Sequence, residues 1–134
     1  PSVAVQAALY DALVALTIPG ISLTVVDRAR QVADGASGSG YPLVEIGAIV
    51  GAPFDTTSSV GMDFTARLNI RSRSGGMAEA KAIQDAIWSR LHNGALVLDG
   101  WVRVLMQRTA TDILPTTDGS THGVDEYRII IEEA

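Results

Sequence analysis

Met62-Asp63-Phe64-Thr65-Ala66-Arg67-Leu68-Asn69-Ile70-Arg71 alternates apolar and polar residues without a break, and Ser72-Arg73-Ser74-Gly75-Gly76 then leads into Met77-Ala78-Glu79-Ala80-Lys81-Ala82-Ile83. The alternation is the period-two pattern of a strand with one buried face. Met62, Phe64, Ala66, Leu68 and Ile70 turn one way, and Asp63, Thr65, Arg67, Asn69 and Arg71 the other. Gly75-Gly76 ends the strand. Beyond it Ala80, Ile83, Ile87 and Leu91, joined by Trp88, recur at helical spacing, and Asn93-Gly94 supplies a C-terminal cap, so residues 77–91 are expected to form an amphipathic helix.

A long strand with one dry face needs neighbours on its edges and a layer to face. Upstream, residues 42–50 read as a largely buried strand, and Gly51-Ala52-Pro53 with residues 55–59 as a turn-rich connection. Residues 21–26 are rich in β-branched side chains and suit a short strand, followed at 28–40 by a long loop dominated by Gly, Ser and Ala. At the start of the chain Val5, Leu9, Ala12, Leu13 and Leu16 mark a first helix over 2–16, with Ser2 as N-cap and Pro19-Gly20 as its stop. Downstream, residues 96–98 and 101–111 read as strands around an Asp99-Gly100 turn, with Val102, Val104 and Met106 on one face. Residues 115–119 form a loop, and residues 123–132 a last strand with Tyr127, Ile129 and Ile131 together.

The expected order is α-β-β-β-α-β-β-β. Strands in runs with two helices give an α+β class: a single mainly antiparallel β-sheet with both α-helices packed on one face. The absence of βαβ alternation disfavours a doubly wound nucleotide fold.

At 134 residues the chain is expected to be a single domain spanning 1–134. Its net charge of -5 repels polyanions and argues against specific nucleic-acid binding. The absence of cysteine removes disulfides, thiolate nucleophiles and cysteine-based zinc sites. No apolar run reaches the length of a membrane span, so no membrane partner is expected.

Chemistry-bearing residues are scattered. His92 lies at a helix end, where the macrodipole favours cations, and His122 sits in a hairpin-like setting; neither has ligand partners at fitting spacing. Glu45 interrupts an apolar strand, but period two puts it on the wet face between inward Val44 and Ile46. Gly35-Ala36-Ser37-Gly38-Ser39-Gly40 lacks the Gly-Lys-Ser/Thr ending of a phosphate loop. The expectation is a non-enzyme with no catalytic, cofactor or metal site. Arg67, Arg71 and Arg73 fit either a solvated face or a polar subunit interface.

The run from Ile70 to Ile83, a strand ending in Ser-Arg-x-Gly-Gly and opening a Glu-Ala-Lys-Ala-Ile helix, resembles the tail terminator (tail completion) family of long-tailed bacteriophages and gene transfer agents. Val5-Gln6-Ala7-Ala8-Leu9-Tyr10 and Tyr41-Pro42-Leu43-Val44-Glu45-Ile46-Gly47 agree with it. The resemblance implies a structural virion protein: a hexameric ring, assembled in the host cytoplasm, that caps the head-proximal end of the tail tube and stops its polymerisation. It also implies a joining surface for the head connector, and DNA passing through the lumen without specific binding. Ring closure needs two different patches; the candidates are Arg67, Asn69, Arg71 and Arg73 with Asp112 and Asp118 of the last hairpin. Arg28, Arg30, Asp34, Phe54 and Asp55 are the candidate loop contacts to partners. The alternatives are another head-tail connector or tail-tube ring component, and a small-ligand-binding α+β domain.

Overall fold

The alternating segment is the middle of a sheet. In the computed structural model, which describes residues 1–21, 23–26, 42–55, 57–73, 77–115 and 120–134, the sequence of elements is α1 (Ser2–Val14), β1 (Thr24–Val26), β2 (Leu43–Pro53), β3 (Gly61–Ser72), α2 (Ala78–Leu91), β4 (Trp101–Pro115) and β5 (Thr121–Glu133). The strands form one sheet in the order β1-β2-β3-β5-β4. Each neighbouring pair is antiparallel except β1 with β2. The α+β class and the mainly antiparallel sheet are as the sequence pattern requires.

Phe64, Ala66, Leu68 and Ile70 of β3 are fully or almost fully buried, with Val44 and Ile46 of β2, Tyr127, Ile129 and Ile131 of β5 and Met106 of β4 beside them. Val5, Leu9 and Leu13 of α1 and Ile83, Ile87 and Leu91 of α2 join the same core. α1 lies over β1 and β2, α2 over β3, β5 and β4, and the helices touch, so both cover one face. Truncating Ile83 or Ile87 to Ala would remove buried methylenes and leave a cavity, at about 2–5 kcal/mol.

Several local details depart from the pattern. Ser2 is the first helical residue of α1, and the N-cap position is Pro1. Gly51-Ala52-Pro53 is strand: Gly51 stands opposite Phe64, and the Phe64 ring occupies the space a Cβ on Gly51 would take. The turn follows later, where the Phe54 N–H donates to the Gly61 carbonyl at 2.8 Å. Residues 96–98 form no strand: they lead into a tight turn in which the Trp101 N–H reaches the Leu98 carbonyl at 3.5 Å, and Leu98 packs into the core. Strand β4 carries register shifts between Arg103 and Leu105 and between Arg108 and Ala110. Arg103 faces Ile131 and Met106 faces Ile129, so the inward phase changes at Val104 and leaves Val102 and Val104 each 49 % exposed.

The expected stops do hold. Pro19-Gly20 forms a tight turn, with Gly20 at φ +76° and the Ile21 N–H bonded to the Ile18 carbonyl at 3.1 Å. Asn93 takes the left-handed conformation at φ 56° that ends α2. That cap also reaches the sheet: the Asn93 N–H donates to the Met106 carbonyl at 2.8 Å, and the Arg108 N–H donates to His92 Nδ1 at 3.2 Å. The Trp88 and His92 rings stack at 5.2 Å, with the Arg108 guanidinium 5.9 Å from the Trp88 ring centre. The outer edge of β4 is thus clasped at its middle by the end of α2.

Candidate assembly surface

No described element covers the face of the sheet opposite the helices. Cross-strand pairing fixes what stands on it. Arg67 is opposite Glu126, and its Nη2 donates to Glu126 Oε1 at 3.1 Å. Arg128 grips Asp63 across the diagonal, Nη2 reaching Oδ2 at 2.7 Å and Nε reaching Oδ1 at 3.1 Å. Asn69 Nδ2 donates to Glu45 Oε1 at 3.1 Å, while Asn69 Oδ1 lies 3.2 Å from His122 Nε2. Polar groups on three adjacent strands are therefore bonded to each other.

The position of Glu45 differs from a residue on a wet face: it is 9 % exposed, and Asn69 supplies the donor such a carboxylate needs. Burial pushes the His122 imidazole below its ordinary value; the Arg71 guanidinium opposite it adds to the fall and Glu45 opposes it. His92 Nδ1 accepts from the β4 backbone at Arg108.

Of the candidate interface residues, Arg67 and Asn69 thus have partners within their own chain. Arg71 is half-buried beside His122, and Arg73 is exposed just past β3. Asp112 is exposed on β4, its carboxylate accepting from the Ile113 N–H at 2.8 Å. Phe54 is 45 % exposed in the β2–β3 turn, where Asp55 Oδ1 accepts from the Gly61 N–H at 3.2 Å. Arg28, Arg30, Asp34 and Asp118 lie outside the described residues.

On the helix side, a buried polar cluster escaped the sequence reading. Asp125 is 0 % exposed; its Oδ1 accepts from Gln84 Nε2 at 2.9 Å and from Thr111 Oγ1 at 2.7 Å, while its Oδ2 has no hydrogen-bond partner. Gln84 Nε2 also donates to the Asp112 carbonyl at 3.0 Å, tying α2 to β4 and β5. Burial raises the Asp125 carboxyl above the ordinary range, against the pull of Thr111, Arg108 and Gln84. Burial likewise raises the Tyr127 hydroxyl, with Asp125 adding to the rise. The signal was present in the spacing: Asp125 shares its parity with Tyr127, Ile129 and Ile131, and Gln84 sits four residues after Ala80 and three before Ile87. Among the described residues no group of three or more acidic, histidine or cysteine side chains is placed to hold a metal ion.

A sheet with one face covered by two helices and a polar ladder on the other defines a two-layer protein of the α+β class. A sequence model of the tail completion protein gp17 family matches residues 3–132, and the chain belongs to that family. It is a structural tail protein of phage-like particles. Among solved structures, a chain from the virion of a native gene transfer agent particle superposes with a TM-score of 0.79 at 20 % identity, over 98 % of this chain and 96 % of that one. No curated protein matches the sequence.

Proposed function

We propose that the chain is the tail terminator of its particle: copies form a ring, six being the number the resemblance implies, that seats on the head-proximal end of the tail tube. The ring ends tube growth and offers its far side to the head connector. The observation that carries this reading is the family match across residues 3–132. The surface chemistry supports it. Arg67 and Arg128 are neutralised by Glu126 and Asp63, and a subunit of net charge -5 offers passing DNA little that would hold its phosphates. Phe54 and Asp55, exposed at one end of the sheet, are the candidate partner contacts, with Arg28, Arg30 and Asp34 as further candidates. Arg71, Arg73, Asp112 and Asp118 are the candidate polar contacts between copies. Binding and capping are the activity, with no catalytic step.

The test is to add purified protein to tail tubes growing from purified tube subunits and to measure tube lengths by electron microscopy. A terminator narrows the distribution and leaves a ring at one end. Tubes that keep growing past the added protein, or incorporate it along their length, would assign it to the connector or to the tube itself.

A further inference from the structure

Helix α1 is apolar on both of its faces. Val5, Ala8, Leu9, Ala12 and Leu13 are buried in the core beneath it. On the opposite side Val3, Ala7, Tyr10 and Val14, spaced as one stripe along the helix, are exposed, Val3 at 79 % and Val14 at 54 %. A surface helix ordinarily carries its charges there. Here Asp11 is the one charged side chain of Ser2–Val14. Small Ala7 leaves an open depression of about 430 Å³ among Val3, Gln6, Tyr10 and Asp11. Apolar surface gathered on an exposed helix face marks an interaction site.

The other flank of the subunit holds a matching projection. α1 lies over β1 and β2, at one end of the strand order, and the last turn of α2 reaches the opposite end at β4. There Trp88, 42 % exposed, is held from two directions: His92 stacks on it at 5.2 Å, and the Arg108 guanidinium lies 5.9 Å from its ring centre. An aromatic side chain that is already ordered loses little freedom on binding, which suits it to anchor an interface. Residues 93–98 run beside β4 on this flank, bonded through the Asn93 N–H to the Met106 carbonyl and through the Trp101 N–H to the Leu98 carbonyl, and Val97 among them is 94 % exposed. The charge here is opposite in sign to that of α1. Residues 88–108 set three arginines, Arg90, Arg103 and Arg108, against Asp99 alone, a net +2 in a chain of net charge -5.

We infer that neighbouring copies of this chain join flank to flank, Trp88 of one copy entering the depression at Ala7 on α1 of the next. Val97 meets the exposed valines of α1, and Asp11 faces the positive flank. The two surfaces differ, so the contact is heterologous and repeats from copy to copy, as ring closure requires. A partner seated above or below a ring would have no use for complementary surfaces at both ends of the strand order. This inference rests on the ring reading above and adds an apolar anchor to its polar contacts.

Two variants with opposite defects test it. Ala7→Lys fills the depression from an exposed helix position, and Trp88→Ala removes the anchor. Each should abolish the ring mass in native mass spectrometry and keep the wild-type circular dichroism spectrum. Mixed, they should form a 1:1 heterodimer and nothing larger, because the intact α1 of the Trp88→Ala chain meets the intact flank of the Ala7→Lys chain while the other two surfaces are blocked. Val97→Lys, outside both helices, takes the place of Trp88→Ala in the mixture if that chain unfolds. Adding Asp11→Asn to the Trp88→Ala chain should weaken the heterodimer about two- to five-fold at low salt and leave it unchanged at high salt. Rings that survive either Ala7→Lys or Trp88→Ala, or variants that lose the ring yet give no heterodimer, overturn the flank contact and leave the ring reading standing. Variants that keep the ring in solution but no longer cap tubes assign the α1 stripe to the tail tube, and overturn it as well. A wild-type chain that forms no ring, in solution or on tube ends, removes both.

Discussion

Replacing Gln84 by Leu tests the buried cluster that fastens α2 to the sheet. The substitution keeps side-chain volume near constant but removes two hydrogen bonds, one to the Asp112 carbonyl and one to Asp125 Oδ1. Asp112 is exposed, so water replaces the first bond and its loss costs about 1 kcal/mol. Asp125 is 0 % exposed and has no such replacement. A hydrogen bond to its ionised form is worth about 1.5–3 kcal/mol, and one to its neutral form about 1 kcal/mol. Burial already raises the Asp125 carboxyl in the folded chain. Between the ordinary carboxylate value and that raised one, the folded state therefore holds a proton the unfolded state has released, and stability falls as pH rises through this window. Losing the Gln84 donor raises the folded value further and extends the window upward. The variant should be less stable than wild type by about 2 kcal/mol near pH 4 and by about 2.5–4 kcal/mol near pH 8. The packing of the leucine itself is the same at both pH values and cancels in the comparison. Urea denaturation followed by circular dichroism at the two pH values measures the difference. A deficit that does not change with pH would refute the assignment of Asp125 as the buried acid that Gln84 supports.

His122 should titrate below the free imidazole value of 6.5 in an NMR series, and Arg71→Ala should move its midpoint upward, since Arg71 stands opposite it. With the folded value depressed, the unfolded chain binds the extra proton, so His122 contributes a loss of stability as pH falls through 6.5. Gly51→Ala should destabilise by about 1–3 kcal/mol through overpacking against the Phe64 ring, and a Phe64→Leu background should shrink that penalty, a coupling measurable in a double-mutant cycle. Asn93→Val should cost about 1–2 kcal/mol in thermal denaturation because a β-branched residue resists φ 56°, whereas Asn93→Gly should melt at or above the wild-type temperature.

The fold was legible wherever one periodicity governed a whole element. β3 alternates without a break, and the helix from Ala78 to Leu91 repeats its apolar stripe over four turns. β4 was legible in extent and not in phase, because a bulge leaves no mark in a run of alternating Val, Arg and Leu; the two extra residues are seen only in the pairing with β5. Gly51 misled because a glycine beside Ala-Pro suggests a turn, while its purpose is to make room for a ring on the neighbouring strand. Glu45 was placed on the polar face by parity, yet it is buried there and its donor, Asn69, lies far along the chain. The polar face of β3 was readable as a face. That Arg67 and Asn69 find partners within the same chain was not, since the partners come from β5 and β2.

The insertion of β5 between β3 and β4 has a kinetic consequence. Gly61 pairs with Glu132 and Ser72 with Thr121, so the centre of the sheet is closed by segments distant in sequence. Until residues 121–133 have been synthesised, β3 and β4 have no common neighbour and each presents an unpaired, partly apolar edge. Loop closure on this scale makes folding slow compared with a helical bundle of the same length and exposes the nascent chain to wrong pairings. Completion of the sheet is thus deferred to its penultimate position in space and its last in sequence, and a nascent chain halted before Thr121 would offer open strands where the finished subunit has a sealed centre.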